Sequence, residues 1–160
     1  MAITDTDLVH LRRAVELARE AADGGDGPFG SILVDAMGVE RFADRNREQS
    51  TGDETRHPEF EIVRWAVTHL TPEERSAATV YTSGEHCAMC AAAHAWVGLG
   101  RIVYVASAGQ IAQWRAAKGA APSPVLPLPI TAVAPGLQVD GPVEALAAEV
   151  RVLIERHVDR

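Results

Sequence analysis

The chain reads as a three-layer α/β/α sandwich built on a mixed central sheet. Three observations predict it. Segments of helical period alternate along the chain with short apolar runs of strand type. The first two strand candidates are joined by a short turn, whereas the later ones are separated by helical segments. Hydrophobic residues make up 47% of the 160 residues, enough for one domain with a sizeable core.

The elements follow in order. Residues 6–22 carry Leu8, Leu11, Val15, Ala18 and Ala22 at helical spacing, with Thr4 or Thr6 as cap and Asp23-Gly24-Gly25 as stop. The loop Gly24–Gly27 and Pro28-Phe29-Gly30 lead into Ser31–Asp35, an apolar run suited to a buried strand. Ala36-Met37-Gly38 turns the chain into a more polar strand, Val39–Asn46. Arg47–Arg56 reads as a loop. Pro58 opens a helix that sends Phe60, Ile62, Val63, Ala66, Val67 and Leu70 to the core, and Thr71-Pro72 stops it. Ala78–Thr82 is a strand, Cys87–Val97 a helix ended by Gly98 and Gly100, and Arg101–Ala106 a β-branched strand. Gln110–Lys118 reads as a short helix, Ala120–Pro129 as a proline-rich connector, Ile130–Val133 as a short last strand and Val143–Val158 as a final amphipathic helix. The expected layout is a single domain over 1–160, with its core at about 6–118 and a C-terminal extension at about 119–160.

Charge and composition narrow the function. The net charge of −7 disfavours a large nucleic-acid partner, because an acidic surface repels phosphate backbones. No apolar run approaches a membrane span. The first seven residues are acidic and polar, unlike a signal peptide. The two cysteines lie at metal-ligand spacing, which points to a reducing compartment, and a cytoplasmic setting is expected.

The chemistry concentrates in two stretches, Arg56-His57-Pro58-Glu59 and Ser83-Gly84-Glu85-His86-Cys87-Ala88-Met89-Cys90. Two cysteines at i and i+3 share one face of a first helical turn and can grip one ion. With His57 they make three ligands, the number that a catalytic zinc keeps when its fourth position is open. Glu59 would lie about 200° around a helix from His57, badly placed to ligate the same ion but able to reach a water beside it. Two other readings stay open. A redox Cys-x-x-Cys leaves the histidine and glutamate without a role. A closed structural zinc site needs a fourth protein ligand, for which His86 is the nearest candidate.

The His-x-Glu and Cys-x-x-Cys pair resembles the cytidine-deaminase-like superfamily, on the branch of small nucleobase and tRNA adenosine deaminases. The resemblance covers about residues 6–118 and implies the same sandwich fold. It implies hydrolytic deamination, with zinc on His57, Cys87 and Cys90 and Glu59 as proton shuttle. Two positions depart from the family pattern. Pro58 stands where alanine is usual, and His86 stands where proline usually precedes the first cysteine. His86 either faces the pocket and binds substrate or only turns the chain. Gly27-Pro28-Phe29-Gly30, Asn46, the loop Asp53–His57 and Trp96, six residues after Cys90, match guanine-deaminase-like members. By that likeness Asn46 contacts the base, while Phe29 and Trp96 line its pocket or serve as core. Trp114 closes the pocket or packs, and His10, His69, His94 and His157 are surface or packing residues.

The expected activity is therefore deamination of a free nucleobase or related amino-azine of guanine or cytosine type. The alternatives are a tRNA adenosine or nucleoside deaminase, and a non-enzymatic zinc-stabilised interaction module. Zinc is the expected cofactor. The expected partners are a small-molecule base and a second copy of the chain, as a homodimer, with neither membrane nor nucleic acid.

Overall fold

The computed structural model describes residues 2–160. Helix α1 spans Asp5–Asp23. Of the two candidate caps, Thr4 does the work. Its hydroxyl accepts from Asp7 N at 3.1 Å, and the Asp7 carboxylate accepts from Thr4 N at 2.9 Å. The face expected from the spacing, Leu11, Val15, Ala18 and Ala22, is buried, and Leu8 is half-buried.

Strands β1 (Gly30–Val34) and β2 (Glu40–Arg45) form an antiparallel hairpin. β1 pairs antiparallel with β3 (Thr79–Gly84). β3 runs parallel to β4 (Arg101–Ala106), and β4 to β5 (Val139–Asp140). The spatial order β2-β1-β3-β4-β5 is the mixed sheet that the sequence predicts. Alternate residues of each strand serve opposite layers. Ile32, Val34, Tyr81 and Val103 pack under α1 and under α8 (Glu144–Val158). Leu33 and Val80 pack under Ile62, Val63 and Ala66 of α3 (Pro58–His69). α5 (Ala88–Trp96) lies beside α3 in that second layer. Gly30 lets α1 lie close on the sheet: a Cβ there would collide with Leu17 and with Ala14 O.

Several local expectations need correction. Two short helices, α2 (Glu48–Thr51) and α4 (Pro72–Ala77), were not expected. Thr71-Pro72 does stop α3, but Thr71 then forms a capping box with Glu74 and starts α4. α6 is Ala108–Ala117, two residues ahead of its expected start, because Ser107 caps it. Ile130–Val133 is a helical turn, α7, and not a strand. Four apolar residues fit either period, and the choice falls to tertiary contacts: Ile130 N donates to Glu85 at 2.8 Å while its side chain packs on Ile102 and Tyr104. The last strand is Val139–Asp140 instead. On α3 the buried stripe follows Ile62, Val63 and Ala66, with Leu70 just beyond the helix, so Phe60 is only half-buried and Val67 is exposed. The C-terminal segment joins the same body: β5 extends the sheet, and Leu146, Val150 and Ile154 of α8 enter the α1 core. None of the described helices is long and apolar enough to cross a membrane.

Candidate active site

The two chemical stretches meet where α3 and α5 begin. His57 is the N-cap of α3 with an extended backbone, and Pro58 takes the first helical position, where its missing N–H costs nothing. His57 and Glu59 are therefore separated by the break at the cap, not by 200° of continuous helix. Cys87 is likewise the extended N-cap of α5, and Cys90 lies in its first turn. Both helix starts present the positive end of a backbone dipole to thiolates and carboxylate.

His57 Nδ1 stands 3.5 Å from Cys87 Sγ and 3.6 Å from Cys90 Sγ. All three donor atoms lie within 4.8 Å of one another. With Zn–S of about 2.3 Å and Zn–N of about 2.0–2.1 Å, a tetrahedral site has N···S edges of roughly 3.5 Å. The donor set fits zinc in identity and in spacing. Cys87 is drawn down to about 4, first by its hydrogen bond with Cys90 and also by His57, against burial. Thiolate is the ligating form. Burial alone would lower His57, but its bonds to Cys87 and Glu48 prevail and raise it to about 10. The hydrogen bond with Cys87, and after it burial, push Cys90 up.

Glu59 follows Pro58 in the first turn and is only 6% exposed. Burial raises its pKa, and the charge of His57 offsets part of that. Its Oε1 accepts from Ser31 Oγ at 3.0 Å and from Thr82 Oγ1 at 2.9 Å. On the far side of the histidine, Nε2 donates to Glu48 Oε1 at 3.1 Å. That bond directs Nδ1 at the sulfurs, the arrangement by which a carboxylate orients a metal-binding imidazole. Burial would raise Glu48, but the hydrogen bonds from His57 and Asn46 lower it. Sequence reading missed Glu48, Ser31 and Thr82. The available signals were faint: a carboxylate two residues after Asn46, and hydroxyls inside otherwise apolar strands.

The expected substrate contacts fare differently. Asn46 is almost fully buried and turned to Glu48. Its Nδ2 donates to Glu48 Oε1 at 2.6 Å, and its Oδ1 accepts from Glu48 N at 3.0 Å. Phe29 is half-buried at the end of β3, where a Cβ on Gly84 would stand 3.1 Å from its ring. Trp114, like Phe29, packs against the main core cluster. Trp96 needs correction as a pocket wall within one chain: it is 88% exposed, about 13 Å along α5 from Cys87, because that helix runs away from the donors. His86 is buried and lies edge-to-face on His94, with ring centroids 5.3 Å apart. Neither ring nitrogen finds a partner among the described residues, and His86 does not join the donor cluster as a fourth ligand. His94 is packing, not surface, and its Nε2–H donates to Gly100 O at 2.8 Å.

Known proteins match this arrangement. The sequence model described as cytidine and deoxycytidylate deaminase zinc-binding region matches residues 4–106. A probable cytosine deaminase of Schizosaccharomyces pombe is 35% identical over 102 residues, 64% of this chain and 61% of that protein. A tRNA-specific adenosine deaminase of Agrobacterium fabrum is 36% identical over 95 residues, 59% of this chain and 61% of that protein. A guanine deaminase of Bacillus subtilis is 34% identical over 97 residues, 60% and 62%. The chain spans about three fifths of the length of these relatives. Among solved structures, a guanine deaminase from Nitrosomonas europaea superposes with a TM-score of 0.72 over 100% of this chain and 87% of that one; at 19% identity this likeness shows the fold. Because the match runs from the cap of α1 to the end of β4 and takes in all three zinc donors, the chain belongs to the cytidine and deoxycytidylate deaminase zinc-binding family.

Proposed function

We propose that this chain is a hydrolytic deaminase of a free nucleobase or related amino-azine, of guanine or cytosine type, that releases ammonia. The observation that carries the reading is a buried Glu59 carboxylate at the start of the helix that His57 caps, beside three donors fitted to zinc. We take residues 1–160 as one catalytic domain, since β5 and α8 enter the same sheet and core. When bound, zinc supplies the Lewis acidity that brings the pKa of water from about 15.7 to near 7.

Glu59 takes one proton from the attacking water while the water's oxygen bonds to the ring carbon that bears the amine. The carboxylic acid so formed gives that proton to the adjacent ring nitrogen. The hydroxyl's remaining proton passes through the same carboxylate to the amine, the C–N bond breaks and ammonia leaves. Burial raises the pKa of Glu59, which suits a group that must both take and return protons. Glu48 keeps His57 in the tautomer whose Nδ1 is free to ligate.

A free base is favoured by the −7 charge and by the likeness to cytosine and guanine deaminases. Phe29 supplies one aromatic wall at the end of β3, and Asn46 and Trp96 remain proposed contacts. With Trp96 exposed in one chain, its part in a pocket would need a second copy beside α5. The second reading, a tRNA adenosine deaminase, draws on the 36% identity to such an enzyme. Ammonia release from guanine and cytosine is to be compared with guanosine, cytidine and a tRNA anticodon stem-loop. A higher kcat/KM on any of the last three overturns the free-base assignment. Glu59→Gln tests the chemistry itself: kcat should fall by about 10²–10⁴ while zinc is retained, and near wild-type turnover would remove Glu59 from the shuttle role.

A further inference from the structure

Two fully buried hydroxyls stand beside Glu59, on neighbouring strands, where the sheet would otherwise take apolar side chains. Ser31 of β1 and Thr82 of β3 are direct cross-strand partners. Ser31 Oγ lies 2.8 Å from Thr82 Oγ1, and Thr82 Oγ1 lies 2.9 Å from Gly84 O. That ladder alone would satisfy both hydroxyls. Yet both also converge on one oxygen of Glu59, Oε1, at 3.0 and 2.9 Å. A buried hydroxyl without a partner is costly, and a valine or alanine would carry no such cost. The pair brings two donor protons to a side chain whose three torsions otherwise leave it free to swing.

We propose that Ser31 and Thr82 are positioning residues that clamp Oε1 of Glu59 and so dedicate its other oxygen to proton transfer. The inference rests on the shuttle role given to Glu59 above. Each hydroxyl has a second acceptor: Thr82 can turn to Gly84 O, and Ser31 to Thr82 Oγ1. Each hydroxyl carries one proton, so the clamp is closed when both protons point at Oε1 and open when they turn to Thr82 Oγ1 and Gly84 O. No heavy atom has to move between the two. The effect on rate comes through geometry, since a reacting group displaced by about 1 Å can cost up to 10²-fold.

The test uses the zinc-loaded full chain with Ser31→Ala, Thr82→Val and the double variant, and guanine and cytosine as substrates. Alanine and valine both suit a buried strand, so zinc content should hold, while Tm should fall by a few degrees because each variant withdraws a donor from the buried Glu59 carboxylate. Crystal structures should show Glu59 in one rotamer in the wild type and in more than one in the double variant. In each single variant kcat should fall roughly 10-fold with KM within about twofold, and Ser31→Thr, which keeps a hydroxyl, should retain wild-type kcat. A single unchanged Glu59 rotamer in the double variant overturns the proposal. So does an unchanged kcat, or a loss that Ser31→Thr shares. Glu59→Gln separates the two ideas: if it is inactive while the double variant keeps full kcat, only the clamp fails. If Glu59→Gln is itself active, the shuttle reading fails first.

Discussion

Glu48 illustrates what a single side chain can do from outside the donor set. Its carboxylate touches the far nitrogen of His57 at 3.1 Å and takes a second bond from Asn46 at 2.6 Å. The imidazole is thereby held by one face while the other meets the sulfurs. Removing such a support typically costs 10–100-fold in metal affinity. Glu48→Ala is expected to weaken zinc binding by about that factor, measured by competition with a chromophoric chelator. Affinity equal to wild type would show that the histidine orients itself. Asn46, read from sequence as a base contact, spends both ends of its amide on Glu48.

At the scale of elements, helix starts organise the site, and Glu85 ties several of them together. It follows β3 and precedes His86 and Cys87. One carboxylate oxygen accepts from Ala108 N, the first residue of α6, and the other from Ile130 N, the first of α7, both at 2.8 Å. A negative charge between two helix N-termini is well placed, and it anchors the cysteine loop to the C-terminal segment. Hydrogen bonds to a charged group contribute about 1.5–3 kcal/mol. Glu85→Ala should lower unfolding free energy by roughly 2 kcal/mol in a urea titration at neutral pH, and a change below about 0.5 kcal/mol would mean that water replaces the carboxylate. The same contact explains why Ile130–Val133 curls into a turn. No property of those four residues alone selects helix over strand.

Over the whole molecule, a polar cluster locks α1 onto the strand ends opposite the zinc donors. Asp7 accepts from Arg101 Nη1 and from Tyr81 Oη, each at 2.8 Å, and Arg101 Nε donates to Asp140 at 2.7 Å. Burial would raise Asp7, but these bonds and Thr4 N–H hold it well below its ordinary value of 3.8. A carboxylate depressed in the fold contributes stability that is fully present above its unfolded pKa and lost as pH falls through the folded one. The wild type should lose stability progressively as pH drops below about 4, and Asp7→Asn should show a flatter acid limb with lower stability at pH 7. Equal acid limbs in urea melts would remove Asp7 from the account. Trp96 raises a second question at this scale. An 88% exposed tryptophan at the end of a helix rich in alanine is a natural seat for a second copy. We expect a dimer by light scattering at micromolar concentration and a shift to monomer in Trp96→Glu. A monomeric wild type would defeat the homodimer proposal.

What the sequence by itself determined is the part that spacing can encode. Cys87 and Cys90 sit three apart at a helix start, so their pairing follows from local spacing, and the resemblance of the His57-Pro58-Glu59 stretch to a family pattern adds His57 to the donor set. The alternation of periods likewise determined α1, α3, the first four strands and the three layers, but not the fifth strand, Val139–Asp140. Tertiary structure decided whatever depends on strands meeting across the sheet. Ser31 and Thr82 are 51 residues apart, and Asp7 and Arg101 are 94 apart. A hydroxyl or carboxylate in an apolar segment reads locally as a defect. It acquires a role only when chain pairing removes water from it and leaves a specific partner within 3 Å.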